Sequence, residues 1–149
     1  MAQPTTYKGS SVGIYLEDSG NPGTYLKPCG LSENSFSFNK NLNEVNVPDC
    51  DDPDLPQWVQ RDVESLDFSA SGSGILAAEA VDTWDAAWRD TNSVNARVYV
   101  GLPTDTTKGR FWAGKVHVSG FEVNGVIGDK VRVSISLVSD GEVTFNVTA

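Results

Sequence analysis

The chain has 149 residues, 39% of them hydrophobic and 21% charged, with a formal net charge of −9. That length is expected to form a single domain over residues 1–149 with room for a real core. The acidic balance excludes binding the outside of nucleic acid, which needs clustered Lys and Arg to displace counterions. No apolar run reaches membrane-spanning length and Met1 to Lys8 carries no signal-peptide core, so a soluble protein is expected, made for the cytoplasm or exported by an unusual route.

Prominent Gly, Ser, Asn, Asp and Val suit a turn-rich β protein. Lys8 to Glu17 reads as a first strand through Val12, Ile14 and Leu16. A loop follows over Asp18 to Gly23, then a short return strand over Thr24 to Lys27, stopped by Pro28. Leu31 to Phe38 and Asn43 to Val47 are expected to form a hairpin about Asn39 and Lys40. The same register sets Cys29 opposite Cys50. Pro48 to Pro56 holds three prolines that cannot donate to a ladder, and reads as a projecting loop. From Glu44 to Asp67 eight acids face one base, Arg61, so the acidity is local.

Val63 to Ser71 returns to strand character. Ser71-Gly-Ser-Gly74 is expected to break it and to offer Ser73 as the N-cap of a helix over Ile75 to Arg89. The helix buries Leu76, Ala77, Ala80, Val81, Trp84, Ala87 and Trp88 on one face. Val94 to Gly101 is a further strand, followed by a polar loop to Gly109. The chain closes in an antiparallel meander from Arg110 to Thr148. There Val131, Val133, Ile135 and Leu137 alternate with Lys130, Arg132, Ser134 and Ser136, which gives one buried and one wet face. The sum is mainly β: a β-barrel-like sandwich of seven or eight antiparallel strands with one flanking α-helix.

Little of this carries catalytic chemistry. His117 is the only histidine and has no nucleophile elbow to serve, so it reads as a surface residue beside Lys115 and Ser119. Asp49 to Asp54 fails the EF-hand pattern, with Asp54 and Gln60 where Gly and Glu belong, and reads as a solvated or partner-facing loop. Cys29 and Cys50 are too few for structural zinc and are expected as free thiols at synthesis, with a disulfide only on meeting oxidant. Trp84 and Trp88 are assigned to the helix core and Trp58 to partner binding. No enzyme, cofactor or metal is expected.

Three stretches together resemble a known family. They are Val47-Pro-Asp-Cys-Asp-Asp-Pro-Asp54 with Trp58 and Arg61, then Ser71-Gly-Ser-Gly-Ile-Leu-Ala-Ala78 leading to Trp84, and the meander through Gly120-Phe121-Glu122 and Ser139-Asp-Gly141. In order and spacing they are similar to the tail tube proteins of long-tailed bacteriophages and phage-derived gene transfer agents. The resemblance implies a structural virion protein, made in the bacterial host cytoplasm, that self-assembles into stacked hexameric rings. DNA would pass through the lumen without sequence-specific binding. It also implies tail terminator, tape measure and distal tail proteins as partners, and no membrane. The segment at about 39–57 would reach a neighbour through Val47, Pro48, Asp49, Asp51, Asp52, Asp54 and Trp58. Asp67, Ser69, Lys115, His117, Lys130 and Arg132 are lumen-facing candidates. The meander's wet face is nearly neutral, so another sheet lining the bore stays open as an alternative. A type VI secretion-like tube protein and a carbohydrate-binding β-sandwich are the rival readings.

Overall fold

The computed structural model describes residues 3–18, 20–28 and 30–148. After a single 3-10 turn at Gly9–Ser11 come β1 (Gly13–Glu17), β2 (Tyr25–Leu26), β3 (Leu31–Val47) and β4 (Trp58–Ile75). They are followed by α1 (Ala78–Arg89), β5 (Val94–Val100), β6 (Arg110–Asn124), β7 (Arg132–Ser139) and β8 (Thr144–Val147). All pairings are antiparallel, in one sheet of order β2-β1-β5-β6-β7-β4-β3, with β8 also on β6.

The sheet folds on itself because β6 serves two neighbourhoods. Its first half, Arg110 to Val116, pairs with β5, and its second half, Val116 to Asn124, pairs with β7. A register shift between Val118 and Gly120 bends the strand where it changes partners, as β-bulges do. The closing segment is therefore not a simple three-strand meander: β8 turns back onto Arg110 to Ala113 of β6 instead of pairing with β7. The core is built from the strand alternation: Ile14 and Leu16, Ala96 and Val98, Val116 and Val118, and Val133, Ile135 and Leu137 are all buried. Helix α1 packs over β6 and drives Trp84 to full burial.

Three expectations are corrected. The hairpin about Asn39 and Lys40 does not form: both residues lie inside the 17-residue strand β3, and its turn is residues 48–57. The pairing of Cys29 with Cys50 rested on that hairpin. Cys29 lies outside the described residues, and Cys50 is exposed in the turn after β3. Ser71 to Gly74 is strand, not a break. Gly72 and Gly74 are buried core-side positions, and a Cβ at Gly74 would overlap the Gly30 carbonyl and the Ser32 amide. The helix accordingly starts only at Ala78, with Ala77 at the N-cap position and no side-chain cap. On the helix, Ala80, Trp84 and Ala87 are buried, but Trp88 is 51% exposed with the Arg89 guanidinium 5.8 Å over its ring.

Candidate assembly surfaces

β4 pairs with β7 only from Ser69 to Ile75, whereas it pairs with β3 along its whole length. The stretch Trp58 to Asp67 and its β3 partners therefore leave the sheet as a two-stranded arm. Every residue from Ser37 to Asp67 is exposed. A two-stranded ribbon in water is marginal by itself, and this one has only modest internal support: an Arg61 Nε to Glu44 Oε1 ion pair at 3.1 Å and an Asn41 to Ser65 side-chain hydrogen bond at 2.8 Å.

The ladder sorts the arm's side chains into two faces. Phe38 and Phe68, Lys40 and Leu66, Leu42 and Val63, Glu44 and Arg61, and Asn46 and Val59 are cross-strand pairs, with a register shift between Asn41 and Leu42. This face continues the buried side of β4 off the body into solvent, with Phe38, Leu66, Leu42, Val63 and Val59 interrupted by Lys40, Asn46 and the Glu44–Arg61 pair. The opposite face pairs Asn39 with Asp67, Asn41 with Ser65 and Asn43 with Asp62, and turns apolar only near the end, where Val47 pairs with Trp58. Trp58 is 86% exposed.

The turn itself is braced by its own acids. The Asp49 carboxylate accepts the N–H groups of Asp51 and Asp52 at 2.8 and 3.1 Å, and that of Asp52 accepts the Asp54 N–H at 3.2 Å. Those backbone donors hold the Asp49 carboxyl below the ordinary carboxylate range. Pro48, Asp49, Asp51, Asp52 and Asp54 thus form an acidic, internally hydrogen-bonded cap, mounted on a longer arm than a loop over 39–57 implies. Cys50 is exposed within it.

The second surface is the outer face of β3-β4-β7-β6. Pairing registers place Ser37, Ser69, Val138 and His117 in one row across the four strands, and Ser35, Ser71, Ser136 and Gly120 in the next. A third row holds Glu33, Ser73, Ser134 and Glu122, and Ile75, Arg132 and Asn124 follow it. The face is a field of hydroxyls with few charges. Of the sequence-predicted residues, Asp67, Ser69, His117 and Arg132 share it. Asp67 accepts a hydrogen bond from Ser139 Oγ at 3.2 Å, and His117 Nε2 lies 3.3 Å from Asp140 Oδ2. Lys115 stands on the rim, where β6 has passed from β7 to β5, and Lys130 lies off the strand in the turn before β7. The serine field was missed, although Ser35-Phe-Ser37, Ser69-Ala-Ser71-Gly-Ser73 and Ser134-Ile-Ser136 display it at period 2.

The remaining outer face, on β1 and β5, is aromatic instead. Tyr15 lies edge-on to Tyr99 with ring centroids 4.8 Å apart, Tyr99 stacks on Phe111 at 5.0 Å, and the Arg97 guanidinium sits 4.1 Å over Tyr25. Burial, then the neighbouring Tyr99, pushes the Tyr15 phenol up. Among the described residues two strand edges next to the serine field have no backbone partner: the outer edge of β3, and β6 beyond Val116 on the side away from β7.

A family model described as a phage tail tube protein matches residues 6–145. No curated protein matches the chain in sequence. Among solved structures, the tail of an empty gene transfer agent particle with C6 symmetry is similar, at TM-score 0.76 and 17% identity, covering 95% of this chain and 100% of the other. A native gene transfer agent virion protein follows at 0.70 and 18%, with the same coverage. The SPP1 tail tube aligns at 0.66 and 12%, over 95% of this chain and 80% of its own. At these identities the likeness is one of fold.

Proposed function

The chain belongs to the phage tail tube protein family, and from that premise we propose how it builds the tube. Its role is structural, not catalytic. Six copies close into a ring and rings stack into a hollow tail. The observation that carries this reading is the four-stranded sheet β3-β4-β7-β6, which has an unpaired edge at each side and a hydroxyl-covered outer face. Unpaired edges endanger a monomer and become seams in a ring: β6 of one subunit pairs with β3 of the next.

The serine field then lines the bore. Serine hydroxyls keep it hydrated, while Glu33, Asp67, Glu122 and Asp140 outnumber Lys115 and Arg132, so a polyanion finds no cationic track to grip. The aromatic face on β1 and β5 suits packing better than a water-filled lumen. The C6 symmetry of the similar gene transfer agent tail supports six subunits per ring. The arm reaches a neighbouring subunit with Val47, Trp58 and the acidic cap. Tail terminator, tape measure and distal tail proteins meet the ends of the tube, and assembly takes place in the host cytoplasm before the tail joins the virion.

Electron microscopy of the purified protein tests this. Rings or tubes are expected, with Ser71 and Ser136 facing the bore in a side-chain-resolution map. Deleting Asp49 to Pro56 should leave the fold intact and abolish stacking. Normal tubes from the truncated protein would refute the role of the arm, and a bore lined by the β1-β5 face would refute the role of the serine field.

A further inference from the structure

We infer that the turn joining β6 to β7 is a docking knob whose receptor is the root of the arm on a second copy of this chain, displaced along the strands. The inference rests on the tube reading and adds a contact that the acidic cap does not make. The Val126 carbonyl accepts the Asp129 N–H at 3.1 Å, and Gly128 has φ +91, the left-handed angle that the third residue of such a turn needs. That geometry holds Ile127 at the apex, fully exposed, with Val126 70% exposed beside it. Turn apices favour proline and polar residues. A β-branched apolar side chain there adds nothing to the turn and nothing to this chain's own core.

The arm root is the matching surface. Leu66 is 73% exposed and Phe38 is 53% exposed. Phe38 belongs to a chain of rings, 4.9 Å from Trp112, with Trp112 5.4 Å from Phe145 between centroids. The shelf is open and mostly apolar, with Lys40 across the ladder from Leu66.

One molecule cannot bring the two together. The register sets the knob beyond Arg132 and the shelf beside Ser139, seven residues of β7 or about 23 Å away. A copy shifted along the strand direction can. Such a contact is head-to-tail, so it propagates without limit and does not close on itself. Net charge agrees for the arm as a whole: Lys130 and Arg132 outnumber Asp129 at the knob, while Asn39 to Asp67 carries eight acids against Lys40 and Arg61, with Lys40 the one charge across the ladder from Leu66.

The test uses the full chain, wild type, with Ile127→Asp and Leu66→Asp. Both side chains are exposed, so both variants should match the wild type in circular dichroism and melting. Each alone is expected to give rings that do not stack, with tubes lost in micrographs. A one-to-one mixture is expected to give paired rings and nothing longer, because the knob of Leu66→Asp still fits the shelf of Ile127→Asp. Wild-type tube yield from Ile127→Asp, or folded variants whose mixture shows no paired rings, would overturn the inference and leave the tube reading standing. Wild-type protein that stays monomeric at every concentration would overturn both.

Discussion

Trp58→Ala isolates what the arm contributes to assembly. Trp58 opens β4, faces Val47 across the ladder and is 86% exposed, so the free monomer gains little from it. Burying most of the ~200 Å² of an indole at ~25 cal/mol/Å² gives a ceiling of about 4–5 kcal/mol. Aromatic truncations at interface centres cost roughly 2–4 kcal/mol. A loss of about 2–3 kcal/mol for each docking event raises the concentration needed for assembly about 30- to 150-fold, at ~1.4 kcal/mol per decade. The monomer should change by no more than about 0.5 kcal/mol, as for other exposed substitutions. Sedimentation velocity over a concentration series measures the first quantity and a urea titration of the dissociated protein measures the second. Assembly at the wild-type concentration would refute the anchor role. A monomer destabilised by 2 kcal/mol would show that the tryptophan supports its own arm instead.

Two further outcomes follow from the body and the cap. Trp84→Ala should destabilise the monomer by about 3–5 kcal/mol in urea unfolding, since the ring is fully buried and leaves a cavity. Its Nε1 has no hydrogen-bond partner, so the loss should be one of packing; a change below about 1 kcal/mol would mean that the helix is not seated on the sheet. The cap should be insensitive to pH through neutrality. The Asp49 carboxyl is lowered from 3.8 in the fold, so its bracing is complete above that value and disappears as pH falls through the lower folded value. The Asp51 and Asp52 amide shifts in an NMR titration report it directly, and movement of those amides above pH 5 would contradict the assignment.

What the chain determined by itself is the alternation. Val133, Ile135 and Leu137 had to face one way and Ser134 and Ser136 the other, whatever the partners, because side chains on a strand point to opposite faces in turn. The helix around Trp84 and the projecting, proline-rich turn were legible for similarly local reasons. Tertiary structure decided who pairs with whom. Asn39-Lys40 looks like a turn because Asn and Lys tolerate one, yet an exposed ribbon accepts polar residues throughout, so composition could not tell a turn from the middle of an arm. Gly72 and Gly74 look like breaks, but close approach of Gly30 and Leu31 makes them the residues that let β3 and β4 pack. Gly125 to Asp129 was legible as a turn from its Gly and Asp, but only the folded turn shows that Ile127 stands at its apex, fully exposed.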